Sequence, residues 1–408
     1  MTAPPIVVMK FGGTSVADAD GRAAIARRVL AALEIGSAPV LVVSAMGRRG
    51  APYATDTLLS LVAGLPTDAR EVDLLASTGE AVSAVVLAHE LRASGVDATA
   101  LSGPEAGILT DGEHGSAAII EIHTGPLSAI IEAGRVPVVT GFQGLAPDGS
   151  VATLGRGGSD TTACALGVAL GAETVEIYTD VDGVMSADPR AYDAAGVLEV
   201  IGAEELFQMA RHGSRVVHTP AAELALGSGI GLRVRNTFSD HVGTRVADLR
   251  SYAPSGVATA VSHATGVTRF TVTLPAAEGT PGHMGAQTRL YEAMAEACVS
   301  LDMFTPAGGA LVFTVAAPTA ATARTVLDDL GLPYAERPGL AKVTLVGAGM
   351  HGVPGVMARM TRCLCDAGVS ILQTADSHTT ISVLVSDDEL AAAVAALHEG
   401  FGLGEPHS

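Results

Sequence analysis

The feature that most constrains this chain is a set of short apolar runs, rich in β-branched residues, that alternate with helical patterns. In the first half of the sequence the runs lie at residues 6–9, 40–43, 136–139 and 175–178. Helical periodicity is clearest at 21–33 and 161–170. Continuous apolar strands separated by helices predict an α/β fold with a mainly parallel sheet covered on both faces.

Small and polar residues follow all four runs, which predicts where a ligand binds. The segments that come after the runs begin at Lys10, Ser44, Thr140 and Thr179. In open α/β sheets, ligands lie beyond the carboxyl ends of the strands, where small residues let the backbone approach closely. We therefore expect four strands to deliver binding groups to one edge of the sheet.

The charge balance disfavours several classes of function. The 408 residues include 24 lysines and arginines against 43 acidic residues, a formal net charge of −19. Such a surface repels nucleic-acid phosphates and anionic membranes, so we expect neither as a partner. No signal peptide and no apolar run of about 20 residues is apparent, and we expect a cytoplasmic protein. The four cysteines are too irregularly spaced for a disulfide framework or a zinc motif.

The character of the sequence changes near residue 245. Beyond it, apolar segments at 269–274, 310–315, 340–346 and 381–385 are separated by helical patterns at 288–298, 320–330, 354–367 and 388–398. This order predicts two small βαββαβ units in tandem. We expect a first domain at 1–245, a linker at 246–262, and two modules at 263–338 and 339–408.

The segment Lys10-Phe11-Gly12-Gly13-Thr14-Ser15 ends the first predicted strand with a cation and two glycines. It is not a P-loop, because in that motif the lysine follows the glycines. An ammonium here can still contact phosphate oxygens that backbone N–H groups also approach. A lysine that merely extends to solvent before a turn is the alternative for this hexapeptide alone.

A second glycine-rich segment, residues 155–162, precedes a helical pattern. Its glycines and the free N–H groups of a helix N-terminus favour an anion, although Ser159 or Asp160 can also act as a simple cap. Arg156 favours the binding interpretation, because a forked donor among glycines suits a carboxylate or phosphate.

Three carboxylates lie between Asp180 and Asp188, and Arg190 follows them. The twelve-residue EF-hand pattern is absent, so a nucleotide site with ribose-binding acids fits better than a calcium loop. The segment 347–352 matches G-x-G-x-x-G, but too little chain follows it to complete a dinucleotide-binding unit. We identify no set of residues for a protein-held metal ion.

These segments together resemble the aspartokinase family, whose members phosphorylate the side-chain carboxylate of aspartate. The resemblance rests on residues 10–15, 77–80, 155–162 and 178–190, which occur in family order, and it extends over essentially the whole chain. Segments 46–56 and 373–380 are most similar to the Bacillus-type aspartokinase I group, which is sensitive to diaminopimelate. The implied fold is a three-layer amino-acid-kinase domain followed by two ferredoxin-like ACT regulatory modules.

The resemblance implies roles for the matching residues. Lys10 would span the β- and γ-phosphates and act in catalysis with Asp160 and Arg156. Substrate would be bound by Ser44, Thr55, Glu80, Arg156 and Ser159, with Glu80 at the α-ammonium and Arg156 at a carboxylate. ATP would be bound by Lys10, Gly12, Gly13, Ser15, Thr179, Asp180, Arg190 and Arg215. Mg²⁺ that bridges ATP oxygens would be the cofactor.

The resemblance also implies regulation by an amino acid. Diaminopimelate, lysine or threonine would lie between ACT modules, at a site that includes Met350, Val353, Gln373 and Thr374. Paired modules of this kind imply a homodimer. The chain departs from the family at 214–220, where Arg215 replaces the usual lysine and the usual arginine after His-Pro is missing. A changed cation geometry at this position is expected to lower nucleotide affinity if the residue touches ATP.

Three functions are open at this point. The first is an ATP:L-aspartate 4-phosphotransferase at the start of lysine, threonine, methionine or diaminopimelate synthesis, inhibited by an end product. The second is a related kinase acting on glutamate, N-acetylglutamate, carbamate or UMP, which the ACT-like tail and the combination of Glu80 with Arg156 disfavour. The third is a non-catalytic amino-acid sensor, suggested by the departures at Arg215 and Thr219.

Overall fold

The computed structural model describes residues 4–214, 217–247, 256–275 and 279–404. They divide into two compact units. The described part of the catalytic unit comprises 4–184, 197–210 and 217–247, and that of the regulatory unit comprises 185–196, 211–214, 256–275 and 279–404. The domain expected at 1–245 therefore contributes two short segments to the second unit. Arg215 lies outside the described residues.

The catalytic unit alternates strands with helices as the sequence predicts. Its elements are β1 (Ile6–Phe11), α1 (Gly13–Val16), α2 (Ala19–Glu34), β2 (Ala38–Val43), α3 (Thr55–Ser60), α4 (Ala69–Ala93), β3 (Ala98–Leu101), β4 (Ile108–Thr110), β5 (Ile119–Ile122), α5 (Gly125–Glu132), β6 (Val136–Thr140), β7 (Gln143–Leu145), β8 (Val151–Thr153), α6 (Gly158–Leu170), β9 (Thr174–Thr179), β10 (Val200–Gly202), α7 (Ala203–Arg211), α8 (Thr219–Gly227), β11 (Gly231–Asn236) and β12 (Thr244–Ala247).

The main sheet of this unit has eight strands in the order β10-β12-β11-β9-β1-β2-β6-β3. All its neighbouring pairs are parallel except β11 with β12. Strand β1 lies between β9 and β2, where Lys10 is level with Ile177 and Val42. Apolar side chains on one face of β1 pack with α2 and α4, and α6 lies against the strand as well. The predicted parallel sheet with helices on both faces is confirmed.

A second sheet has the strand order β5-β4-β7-β8. Only two residues separate its strand β7 from the carboxyl end of β6 in the main sheet. Sequence inspection did not predict its strands, which are only three or four residues long. Strand β8 leads directly into the glycine-rich segment 155–158, so this sheet fixes where that segment starts.

One helix of the described residues, α4, is long and apolar enough to span a membrane by length and composition. Half of its apolar window is buried within the protein. It also buries Asp73, Ser77 and Glu80 on one face. These properties are those of a core helix.

The regulatory unit contains β13 (Ala260–Thr273), α9 (Pro281–Glu296), β14 (Asp302–Ala307), β15 (Ala310–Ala316), α10 (Ala320–Asp329), β16 (Tyr334–Val346), α11 (Val356–Asp366), β17 (Gln373–Asp376), β18 (Thr380–Ser386) and α12 (Leu390–Phe401). These strands form one antiparallel sheet in the order β14-β15-β13-β16-β18-β17.

Strands β13 and β16 each serve both halves of this sheet. Residues 267–273 of β13 pair with β15, whereas residues 260–264 pair only with the end of β16, and the register shifts between them. The start of β13 therefore pairs with β16 in the second half, and the rest of β13 belongs to the first half. The result is two βαββαβ-like halves that share strands. The boundaries expected at 263 and 339 both fall inside these strands.

The segment 185–196 is built into the regulatory unit. The Ser186 carbonyl accepts a hydrogen bond from Val261 N at 2.8 Å, and the Ser186 hydroxyl contacts His398 Nε2 at 2.7 Å. Ala187 is buried in the apolar core formed with α11 and α12, and Tyr192 stacks at a tilt on His398. This stretch therefore belongs to the core that covers the second half of the sheet.

Candidate active site

A cavity of about 560 Å³ opens in the catalytic unit at the carboxyl ends of β1 and β2. Seven of the residues predicted for catalysis or substrate binding line it: Lys10, Ser44, Thr55, Glu80, Arg156, Ser159 and Asp160. They come from two strand ends, helices α3, α4 and α6, and the segment before α6. The fold thus brings together residues that are up to 150 positions apart in the sequence.

Lys10 and Asp160 form an ion pair in the wall of this cavity. The Lys10 Nζ and Asp160 Oδ1 atoms are 2.7 Å apart, and both side chains are nearly buried. The other carboxylate oxygen of Asp160 accepts a hydrogen bond from His218 N at 3.0 Å. Lysine at the end of a buried strand therefore does not extend to solvent, and its ammonium is held in place by the first turn of α6.

Glu80 presents a carboxylate to the cavity from the middle of α4. One oxygen accepts a hydrogen bond from Ala45 N at 3.1 Å, and the other is buried without a hydrogen-bond partner among the described residues. Burial raises the pKa of Glu80 from 4.5 to about 8, and the backbone hydrogen bonds oppose this only in part. An oxygen of this kind is suited to bind a cationic group such as an ammonium.

Arg156 lies in the segment between β8 and α6. Its side chain is exposed, and it has no ion-pair partner in the described part of the chain. Ser159 lies in the first turn of α6 and is buried against Gly141. A free guanidinium next to a helix N-terminus forms a site for a carboxylate or phosphate.

The residues of the Lys10 to Ser15 segment divide into two groups. Gly13 is required by packing, because a Cβ there would lie 2.6 Å from the Gly47 carbonyl oxygen. The Ser15 hydroxyl is buried and bonded to Thr237 Oγ1 at 2.7 Å, so it does not line the cavity. Gly12 lies beside the Lys10 ammonium, because a Cβ there would be 3.8 Å from Lys10 Nζ, and its N–H donates to the Tyr178 carbonyl.

The other residues predicted to bind the nucleotide lie in different units of the chain. Thr179 is the last residue of β9, the strand next to β1, and Asp180 follows it and pairs with Arg48 at 2.9 Å. Arg190 instead belongs to the regulatory unit, where its exposed guanidinium binds both oxygens of Asp188. Arg215 cannot be assigned a position, since it lies outside the described residues.

Sequence reasoning missed several residues that line the same cavity, notably Asp73, Phe142 and Thr153. Asp73 lies seven positions before Glu80 on α4, about two helical turns, so the two carboxylates share a face. A carboxylate at this spacing from Glu80 within one helical pattern was the available signal. Phe142 adopts a φ of 71°, which an apolar pattern does not reveal.

No group of three or more histidine, cysteine or acidic side chains in the described ranges is arranged to hold a metal ion.

A second cavity, of about 720 Å³, lies in the regulatory unit at the start of α11. Met350 and Val353 line it together with His351, Asp376 and His378. Gln373 and Thr374 do not line it. The Gln373 amide instead donates to the Met303 carbonyl of β14, and Thr374 is exposed. Only two of the four predicted effector residues are therefore brought together.

Comparison with known proteins identifies the relatives of this fold. The model of the amino acid kinase family matches residues 5–236, and an ACT domain model matches residues 336–399. Aspartokinase 1 of Bacillus subtilis is 42% identical over 98% of this chain and 100% of its own length. The aspartokinase of Mycobacterium tuberculosis is 39% identical over 98% of this chain and 96% of its own length.

The chain belongs to the aspartokinase family. The predicted fold class, an amino-acid-kinase domain with an ACT regulatory region, is confirmed, as are the enzyme class and the resemblance to aspartokinases of the Bacillus type.

Solved aspartokinase structures agree over nearly the full length. Escherichia coli aspartokinase III in complex with lysine and aspartate (T-state) has a TM-score of 0.81 and 25% identity, covering 97% of this chain and 99% of its own. The same enzyme with aspartate and ADP (R-state) has a TM-score of 0.75 at 25% identity, covering 97% and 100%. The aspartokinase fold is thus present in both units.

The raised pKa of Glu80 leads to a prediction about stability. The folded carboxyl binds its proton more tightly than the unfolded one, so its stabilising contribution is complete below pH 4.5 and is lost as the pH rises to about 8. Glu80→Gln removes this titration. We expect its free energy of unfolding to exceed the wild-type value increasingly from pH 5 to pH 8, by about 1.4 kcal/mol per pH unit at most, in urea titrations without substrate.

Glu71→Gln is the matched control, because Glu71 is exposed on the same helix. It keeps Glu80, so it should retain the fall in stability that the wild type shows between pH 5 and pH 8. An identical slope of stability against pH in Glu80→Gln and wild type would contradict a raised pKa at Glu80.

Proposed function

We propose that this protein transfers the γ-phosphoryl group of ATP to the side-chain carboxylate of L-aspartate, using the cavity at the ends of β1 and β2. The observation that carries the proposal is that three charged or ionisable groups line the same cavity. These are the ammonium of Lys10, the unpartnered carboxylate oxygen of Glu80 and the free guanidinium of Arg156. An amino acid with a second carboxylate is complementary to this set.

The chemistry needs positioning and charge neutralisation more than acid–base catalysis. A carboxylate oxygen of aspartate would attack the γ-phosphorus, and the bond between that phosphorus and the bridging oxygen of ADP would break. The nucleophile is already ionised at pH 7, so no general base is needed. Lys10, held by Asp160, would stabilise the negative charge on the phosphoryl oxygens during transfer.

Substrate orientation follows from the placement of charges. The Glu80 oxygen would accept the α-ammonium, and the bound cation would restore ionisation of this buried carboxyl. Arg156 would bind a carboxylate, while Ser44, Thr55 and Ser159 contribute hydroxyl groups around it. N-acetylglutamate lacks an ammonium and would leave Glu80 unpaired in the cavity.

ATP would approach along β1 and β9. Gly12 would allow phosphate oxygens near the Lys10 ammonium, Thr179 ends the adjacent strand, and Asp180 follows it. We assign Mg²⁺ to the phosphate oxygens. Gly13 and Ser15 would act by holding the turn, and the roles predicted for Arg190 and Arg215 stay predictions.

The amino-acid composition supports a specific role for Lys10. The chain contains 22 arginines and two lysines, Lys10 and Lys342. A compact ammonium thus stands at the end of β1 in a chain whose other cations, apart from Lys342, are arginines. A planar guanidinium would not reproduce a point charge between a buried carboxylate and phosphate oxygens.

Regulation by an amino acid would use the regulatory unit. We assign the effector to the cavity with Met350 and Val353, and diaminopimelate, lysine and threonine are the candidates. The chain that follows Asp180 runs directly into segment 185–196, which is built into this unit, so a change there has a covalent route to the nucleotide loop. Exposed Phe304 on the edge strand β14 supports a homodimer, and we expect a cytoplasmic enzyme.

The assay that tests the assignment is hydroxamate formation that depends on both ATP and aspartate. We expect product with aspartate and little with glutamate, N-acetylglutamate or carbamate. Turnover of another substrate in preference to aspartate would favour a related kinase. No turnover of any of them would favour a non-catalytic sensor.

Substitution of the two lysines tests the catalytic role of Lys10. We expect Lys10→Arg to reduce kcat by about 100-fold or more, because the charge is kept but its geometry is lost. Lys342→Arg is the matched control, since Lys342 is also buried and paired with an aspartate, Asp302, but lies in the regulatory unit. It should retain near-normal turnover, and equal activity of both variants would refute the role of Lys10.

Substitution at the second cavity tests the effector site. Val353→Glu adds a charged and larger side chain to the lining of the cavity, so we expect the inhibitory concentration to rise about 10-fold or more, which corresponds to about 1.4 kcal/mol. Basal activity should not change. Met284→Glu, at an exposed apolar position of α9 outside the cavity, is the control. An unchanged inhibition curve, or no inhibition of the wild type by any candidate, would contradict the site.

A further inference from the structure

Asp73 is a buried carboxylate in the wall of the catalytic cavity that the proposed reaction does not use. Its side chain is 1% exposed, and it accepts four hydrogen bonds. Its Oδ2 atom accepts from His114 Nδ1 at 2.8 Å, from Gly115 N at 3.0 Å and from Thr153 N at 2.9 Å. Its Oδ1 atom accepts from the Thr153 hydroxyl. Burial of this carboxylate is tolerated because four donors surround it.

The donors come from two segments that border Arg156. Thr153 is the last residue of β8, three positions before Arg156. His114 and Gly115 belong to the turn between β4 and β5, and this turn contacts the same segment. A Cβ on Gly155 would lie 3.2 Å from the Gly115 carbonyl oxygen, at a φ of 71°. Asp73 therefore bonds both to the end of β8 and to the β4–β5 turn, and the Arg156 segment begins beside these two structures.

The same carboxylate is part of the helix that carries Glu80. Asp73 and Glu80 lie on one face of α4, and both line the cavity. Hydrogen bonds at Asp73 thus connect the helix that would bind the substrate ammonium with the segment that would bind its carboxylate. The distance between these two groups would set the length of the amino acid that binds.

We propose that Asp73 and His114 are a positioning pair that fixes the spacing between Glu80 and Arg156, and so selects a four-carbon dicarboxylic amino acid over a five-carbon one. The inference rests on the proposed function, in which Glu80 and Arg156 bind the two ends of the substrate. Neither Asp73 nor His114 needs to touch the substrate for this role. A long arginine side chain that starts from a loosely held backbone loses more entropy on binding and orients a ligand less well.

His114→Ala is the informative variant, because loss of the central Asp73 carboxylate could prevent folding. We expect KM for aspartate to rise about 10-fold or more, while KM for ATP and kcat at saturating aspartate stay near the wild-type values. The preference for aspartate over glutamate in kcat/KM should fall. His114→Asn, whose amide can donate from nearly the position of Nδ1, should restore most of both properties.

His123→Ala is the matched control. His123 forms a histidine–carboxylate pair with Glu121 at 3.0 Å, but both side chains are about 60% exposed and lie outside the cavity. It should behave as wild type. A general loss of stability would instead raise both KM values or lower kcat in His114→Ala, which would refute a positioning role.

A double-mutant cycle separates this inference from the proposed function. If His114 acts through Arg156, adding His114→Ala to Arg156→Ala should not raise KM for aspartate further. Additive effects would overturn the inference. If Arg156→Ala alone leaves KM for aspartate unchanged while the wild type phosphorylates aspartate, the positioning pair is also refuted, although the kinase assignment stands.

Discussion

The ion pair between Lys10 and Asp160 is the interaction on which the catalytic unit depends. It requires β1 to be buried between two parallel strands, so that Lys10 emerges only at the carboxyl edge of the sheet. It also requires α6 to begin at Gly158, so that Asp160 lies in its first turn. Loss of either partner would leave a nearly buried charge without compensation, which typically costs about 3 to 5 kcal/mol. The two elements are therefore held together by the same charges that would act on phosphate.

Local periodicity predicted most of this architecture. The strands at 6–9, 40–43, 136–139 and 175–178 and the helices at 21–33 and 161–170 lie within the observed elements, because each buries a continuous or regularly spaced apolar surface. The short strands of the second sheet carry no such signal, since three or four residues are too few to show a period. The strand sharing of β13 and β16 could not be predicted either, because it depends on register between residues about 80 positions apart.

The candidate site was predictable as a set of residues that match those of aspartokinases. The fold brings Lys10, Asp160, Glu80 and Arg156 to one cavity, and their roles stay predictions. The resemblance also assigned Ser15 and Gln373 to ligands, whereas in the structure their side chains bond to Thr237 and Met303. Asp73 was missed because no local motif contains it. Its importance comes from donors 41 to 80 residues away, and no local pattern reveals them.

The central claim is that the Lys10 ammonium faces a phosphate in a cavity shaped for an amino acid with two carboxylates. A crystal structure with Mg²⁺, a non-hydrolysable ATP analogue and aspartate tests it most directly. The account predicts a γ-phosphate oxygen at about 3 Å from Lys10 Nζ, and the substrate ammonium at a similar distance from the free oxygen of Glu80. A triphosphate bound away from Lys10, with the Lys10 ammonium in contact with Asp160 and with no phosphate oxygen, would contradict the account.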